Sequence, residues 1–246
     1  MKASIHQPHY FPWVGYFDKM AKADVFVLLD EVQLEKSSQM IRNRVLDGNG
    51  NIKYLTISGD TKNFLSRKYC ELKTKDVDRW TGRQLNALRD YYRTAAFRDE
   101  ILPIIEDFFT RDYETVCQWT CGSLLLVREL LGIKTKIIYQ SDIEYDRENK
   151  RSDLVYAICN AIGADIYFSG RGASVRYLDR EKFASHGVQI VFQDFKHPMY
   201  SQCSSPENFT PGLSILDMLF NCGIEETKRI FWDNVRSSRE FEETEK

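Results

Sequence analysis

The chain has 246 residues, with 34 Lys and Arg against 36 Asp and Glu, a formal net charge of -2 and 43% hydrophobic residues. That length and apolar content support a sizeable core, and the even charge balance lacks the basic excess of proteins that settle on phosphate backbones, so nucleic acid is excluded as the main partner. No apolar run reaches the length of about 18 residues that a membrane-spanning helix needs, and membrane insertion is not expected.

The start, MKASIHQPHYFPW, has no apolar signal-peptide core, so the expectation is a cytoplasmic protein whose six cysteines stay reduced. Residues 2–5 read as a strand, 6–13 as a proline-punctuated loop, 16–22 as a helix, and 25–29 as a continuous apolar run suited to a strand buried on both faces. Together they make a βαβ unit of a parallel sheet. The turn signal Asp47-Gly48-Asn49-Gly50 between residues 41–46 and 53–57 predicts a hairpin, and residues 69–73 predict a further short strand. From about residue 76 to 131 the pattern turns helical, through Trp80, Leu85, Leu88, Tyr91 and Tyr92, with Pro103 expected in the first turn of its helix. The α/β alternation then returns with strands at 136–139, 166–168 and 189–192, helices at 152–162 and 178–184, and a final helical stretch broken at Gly223. No repeat or linker interrupts this order. The reading is one α/β domain over residues 1–235, an open and mostly parallel Rossmann-like sheet flanked by helices with a helical insertion in the middle, followed by a flexible polar tail at 236–246.

The most distinctive segment is His6-Gln7-Pro8-His9-Tyr10-Phe11-Pro12-Trp13, which places two of the four histidines directly after the first strand. Ligands of open α/β sheets bind beyond the carboxyl ends of the strands, and imidazoles on a proline-stiffened loop suit general acid-base chemistry. The alternative is that the aromatics merely pack the loop onto the sheet. A His-x-x-His pair can also chelate zinc, but a third ligand has to come from Asp30, His197 or the cysteines, all distant in sequence, and no metal is expected.

The opening is similar to that of nucleotidylyltransferases, whose first strand leads into a T/H-x-G-H turn. In Trp13-Val14-Gly15-Tyr16 the glycine is kept, while Tyr16 stands in place of the histidine and Trp13 in place of the first polar residue. Ser169-Gly170-Arg171-Gly172-Ala173, at another strand end, is a candidate phosphate turn, to which Arg171 or Arg176 adds charge. Arg42-Asn43-Arg44 offers paired guanidiniums for phosphate or carboxylate, though an exposed hairpin face explains them equally well. The segment from Gln193 through His197 and Tyr200 to Gln202 follows the last parallel strand. If the strands are parallel, the ends at Asp30, Ser169 and Gln193 converge with His6.

At these residues the sequence resembles the WbqC-like family: HQPHYFPWVGYFDKM with ADVFVLLDEVQ, RNRV, GADIYFSGRGA with YLD, VQIVFQDFKHPMY and LSILDMLFNCG. The resemblance implies a bacterial enzyme of O-antigen and related surface-polysaccharide gene clusters, of the kind described as glycine transferases. It further implies a nucleotide-linked amino sugar and an acyl or aminoacyl donor as partners. His6 and His9 are then the candidate bases with Asp30 orienting or accepting. Arg42, Arg44 and the turn from Ser169 through Gly170 and Gly172 hold phosphate, and Gln193, His197 and Tyr200 line the acceptor pocket. Gln7, Tyr10, Trp13, Asn43 and Gln202 complete the substrate-binding set. ATP as a cofactor that activates a carboxylate, as in adenylate-forming ligases, stays open, as does a homo-oligomer. The competing class is a non-catalytic sugar-nucleotide binding scaffold.

Overall fold

The computed structural model describes residues 1–35, 38–60, 62–172, 174–203 and 208–241. The first strand, β1 (Lys2–His6), leads through the histidine loop into α1 (Val14–Ala21) and returns to β2 (Val25–Leu28), as the apolar patterning predicts. The hairpin β3 (Arg42–Leu46) and β4 (Ile52–Thr56) pairs antiparallel in a small sheet of its own. Helices α2 (Val77–Tyr91), α3 (Arg98–Phe109) and α4 (Val116–Leu130) form the helical middle. The α/β order resumes with β5 (Lys136–Tyr139), α5 (Ser152–Ala161), β6 (Ile166–Ser169), α6 (Ser174–Tyr177), α7 (Arg180–Ser185) and β7 (Gln189–Asp194). It closes with α8 (Ile215–Ser237) and β8 (Arg239–Phe241).

The main sheet runs β5-β2-β1-β6-β7-β8, with the first five strands parallel and β8 antiparallel on the edge. Strand order reverses at β1, whose neighbours β2 and β6 lie far apart in sequence; this is the switch point at which such sheets bind ligands. The period of two along β2 divides the core. Phe26 and Leu28 point into a large cluster with α1, the three middle helices and α8, whereas Val25 and Val27 join Ala3 and Ile5 against α5 and α7.

Three local expectations are corrected, and one helix is added. The segment expected as a strand at 69–73 is a 3-10 turn at Tyr69–Glu71. Its backbone N–H groups bond to the chain after β2, Tyr69 to Val32 and Cys70 to Asp30, while the buried Tyr69 hydroxyl meets Thr120 and Met40, so tertiary docking overrides strand propensity. Helix α3 starts at Arg98, which places Pro103 inside the helix rather than in its first turn; the Phe97 N–H bonds to the Phe220 carbonyl and sets that earlier start. The short helix expected at 178–184 is α7, and a further short helix that the sequence did not suggest, α6, precedes it. Part of the expected flexible tail is β8, with Phe192, Gln193 and Asp194 opposite Phe241, Glu240 and Arg239. Ser238, just before it, bonds to the buried Asp18. The break in the last helix falls at Gly223, whose φ of +73° and close approach to the Phe97 ring exclude a side chain. Residues 173 and 242–246, named in the phosphate turn and the tail, lie outside the described residues.

Candidate functional site

Strand β1 brings His6 to the carboxyl edge of the sheet at the switch point, and the loop that follows turns back over it. The turn is made by Phe11, whose φ of +39° is strained for a bulky residue. Three bonds hold it there: its N–H donates to the Ser123 hydroxyl at 2.9 Å, and its carbonyl accepts from Asn43 and Ser214, both at 2.8 Å. As a result Tyr10 and Phe11 enter the core, fully buried, while His9 and Trp13 face the opposite way, toward a cavity of about 450 Å³.

His6, His9, Trp13, Gly15, Tyr16 and Lys19 form one wall of this cavity. Gly170, Arg171 and Gly172 with Gln193, Asp194 and Phe195 form the other, and Gln39 adds to the lining. The three rings of His6, His9 and Tyr16 touch, with centroids 4.7 Å apart for the imidazole pair and 5.0 and 5.1 Å to the phenol. His6 Nδ1 lies 2.9 Å from the Gln7 carbonyl. A carbonyl only accepts, so Nδ1 carries the proton and Nε2 is left as acceptor. The Tyr16 hydroxyl donates to the same carbonyl at 3.0 Å, fixing the turn from both sides. His9 Nδ1 is buried without a hydrogen-bond partner among the described residues.

Burial sets the electrostatics. It pushes His6 well below its ordinary range and His9 down to about 3, with the Lys19 charge adding to both. It also brings Lys19, 4% exposed, down to about 7. At neutral pH both imidazoles are therefore uncharged and hold free acceptor nitrogens, and Lys19 is close to the midpoint of its titration. On the opposite wall, a Cβ at Gly170 or Gly172 would meet no atom within 4 Å, so the turn stands open toward the cavity. Gln193 is fixed by donating to the Gly15 carbonyl at 2.9 Å and to Asp18 at 2.6 Å. The six-membered ring of the Trp13 indole packs against Gly15, where any Cβ would collide with it, and is backed by Phe195 at 5.0 Å and by the stacked His197 ring at 6.3 Å.

Several expected residues lie elsewhere. Asp30 does not orient the histidines: it accepts from the Ser141 N–H at 3.0 Å and hydroxyl at 2.7 Å and lines a second cavity of about 310 Å³ beside Cys117 and Cys121. Tyr10 is a core residue bonded through its hydroxyl to Gln84. Arg42, Asn43 and Arg44 brace the fold instead of lining the cavity. Asn43 donates to the Tyr10 and Phe11 carbonyls, Arg44 donates to the Gly212 carbonyl at 2.7 Å, and the Arg42 guanidinium lies 4.5 Å over the Tyr54 ring. Ser169 is buried and shapes the turn through the Ser174 hydroxyl. Gln7 is at the loop exterior, 3.4 Å from Glu35. Tyr200 and Gln202 serve the buried Asp217, which accepts from them at 2.8 and 3.0 Å and from Tyr92 at 2.9 Å.

Thus His6, His9, Trp13, Gly170, Gly172 and Gln193 converge, and His197 acts on the site through Trp13. Sequence reasoning missed Lys19 and weighed Gly15 and Tyr16 only as positions of the nucleotidylyltransferase-like turn, although spacings of three and four from Tyr16 and Gly15 place Lys19 on their face of α1 and offered a signal. Among the described residues no three His, Cys, Asp or Glu side chains cluster as a metal site.

The model of the WbqC-like protein family matches residues 7–229. The uncharacterized protein Rv1507c of Mycobacterium tuberculosis (strain ATCC 25618 / H37Rv) is 29% identical over 226 residues, covering 91% of this chain and 95% of its own length. No solved structure matches the chain significantly. The family match runs from Gln7 in the histidine loop to Arg229 in α8, across nearly every element that builds the cavity, and the chain belongs to the WbqC-like protein family.

Proposed function

We propose that the chain is an enzyme that transfers a glycyl or other aminoacyl group to the amino group of a nucleotide-linked amino sugar, for O-antigen or related surface-polysaccharide synthesis. The observation that carries this reading is the switch-point cavity, in which two uncharged imidazoles and a buried amine face an open glycine turn across about 450 Å³. The glycine turn with Arg171 suits a diphosphate, and the Trp13 indole offers a flat apolar wall for a base or sugar ring. In the reaction the free amine of the sugar attacks the acyl carbon of an activated donor and a new C–N bond forms. The tetrahedral adduct collapses as the bond to the leaving group breaks with its electron pair. The proton shed by the nitrogen passes to an imidazole, with His6 Nε2 and His9 as the acceptors. Among the described residues no helix is long and apolar enough to cross a membrane. The reading places the reaction in the cytoplasm.

The test is to incubate purified protein with nucleotide-linked amino sugars and with glycine or preactivated glycyl and acyl donors, each with and without ATP, and to follow the sugar nucleotide by mass spectrometry. A mass gain that depends on protein and donor is expected, and its dependence on ATP assigns the activation step. Absence of any adduct across the panel overturns the reading, and tight binding without turnover would make the chain a sugar-nucleotide binding protein instead.

A further inference from the structure

Lys19 lines the cavity at 4% exposure, with its amine 5.7 Å from the Phe26 ring centroid. Among the described residues no hydrogen bond or ion pair reaches that amine, and burial alone acts on it. Buried cations in folded proteins are paired or give up their proton, and an unpaired one beside a ligand-sized cavity lacks its counter-ion. The titratable or charged groups that line the same cavity are His6 from β1, His9 from the loop after β1, Arg171 from the turn after β6 and Asp194 from β7, with Tyr16 on its own helix. Asp18, the neighbouring carboxylate on α1, is committed to Gln193, Lys22 and Ser238. Neither nearby carboxylate, Asp18 or Asp194, makes an ion pair with Lys19 among the described residues.

We propose that Lys19 Nζ is an anion seat: a phosphoryl group of the ligand docks on it, between α1 and the turn Gly170-Arg171-Gly172, and supplies the counter-ion the chain withholds. The proposal deepens the functional reading and rests on it for the identity of the ligand as a nucleoside diphosphate derivative. Beside it, the Nδ1 of His9 is a buried polar atom with no hydrogen-bond partner among the described residues. Because burial holds Lys19 at about 7, a dianion that docks on the ammonium at higher pH draws a proton onto the amine. Binding is then coupled to proton uptake.

The experiment is isothermal titration of the intact protein with uridine diphosphate and, separately, with inorganic pyrophosphate, in buffers of different ionisation enthalpy between pH 6 and 9. At pH 8 the amine is about nine-tenths neutral, so uptake of close to one proton per ligand is expected, with affinity falling about tenfold per pH unit above 8. Lys19→Met should bind at least tenfold more weakly with no uptake, and Lys19→Arg should bind without the pH dependence. Preference for uridine diphosphate over pyrophosphate assigns the phosphoryl group to a nucleotide, and equal binding assigns it to a free phosphate. Absent uptake in the wild-type protein, undiminished binding by Lys19→Met, or no binding of either probe at millimolar concentration overturns the seat. Sugar-nucleotide turnover without proton-linked binding would sink the seat alone. Proton-linked binding without turnover of any amino sugar would sink only the functional reading.

Discussion

Replacing Lys19 by methionine is expected to stabilise the protein while damaging its site. The amine sits in the unfolded chain near its ordinary 10.5 and in the folded protein at about 7, because burial penalises the ammonium and no partner compensates. At about 1.4 kcal/mol per unit, keeping this group fully charged in the fold would cost about 5 kcal/mol, and with the proton half released at pH 7 the net cost is roughly 4 kcal/mol. Methionine fills a similar volume with no charge, at a repacking cost of about 1 kcal/mol, leaving a net gain of about 3 kcal/mol. The sign follows from proton counting: between pH 7 and 10.5 the unfolded chain binds more protons at this position than the fold does, so wild-type stability rises with pH there. The advantage of the methionine protein should therefore shrink to about 1 kcal/mol by pH 9, with all other titrations cancelling between the two proteins. Urea unfolding of both proteins at pH 6, 7, 8 and 9 measures it directly. A wild-type protein as stable as the variant at pH 7, or a difference that does not shrink toward pH 9, would refute the argument that Lys19 is buried without a counter-ion.

Substituting His6 and His9 by asparagine, singly, should leave circular dichroism and the urea midpoint nearly unchanged while lowering transfer by about 10²–10⁴-fold if either imidazole accepts the proton. Gly15→Ala pushes a methyl group into the Trp13 indole, so it should shift tryptophan emission and weaken nucleotide binding more than it lowers stability. Asp217→Ala strips the acceptor from Tyr92, Tyr200 and Gln202 in a buried setting, and a loss of about 3 kcal/mol in urea unfolding is expected; a loss under 1 kcal/mol would show that water or a neighbour replaces the carboxylate.

Much of this fold is written locally. The apolar run of β2 reads as a doubly covered parallel strand, the glycine-rich turn after Leu46 reads as a hairpin, and Gly223 reads as a helix break, because each depends on a short period or a single permissive residue. The histidine loop reads as a candidate site for the same reason, since it follows a buried strand. What the local pattern leaves undecided is the direction of each side chain once the chain leaves a regular element. Tyr10 and His9 are adjacent, yet the strained Phe11 and its bonds to Ser123, Asn43 and Ser214 send one into the core and the other into the cavity.

The sequence by itself therefore determined the α/β alternation, the family and the loop that lines the switch-point cavity. Tertiary structure alone decided that the Arg42 and Arg44 pair braces the hairpin, that Asp30 belongs to a different cavity, and that Lys19 stands in place of an expected acid beside the histidines. The physical reason is that patterning reports which face of an element is apolar, whereas a site is made by residues from α1, β1, β6 and β7 brought together by strand order. Whether a charged side chain there finds a partner depends on groups more than a hundred residues away.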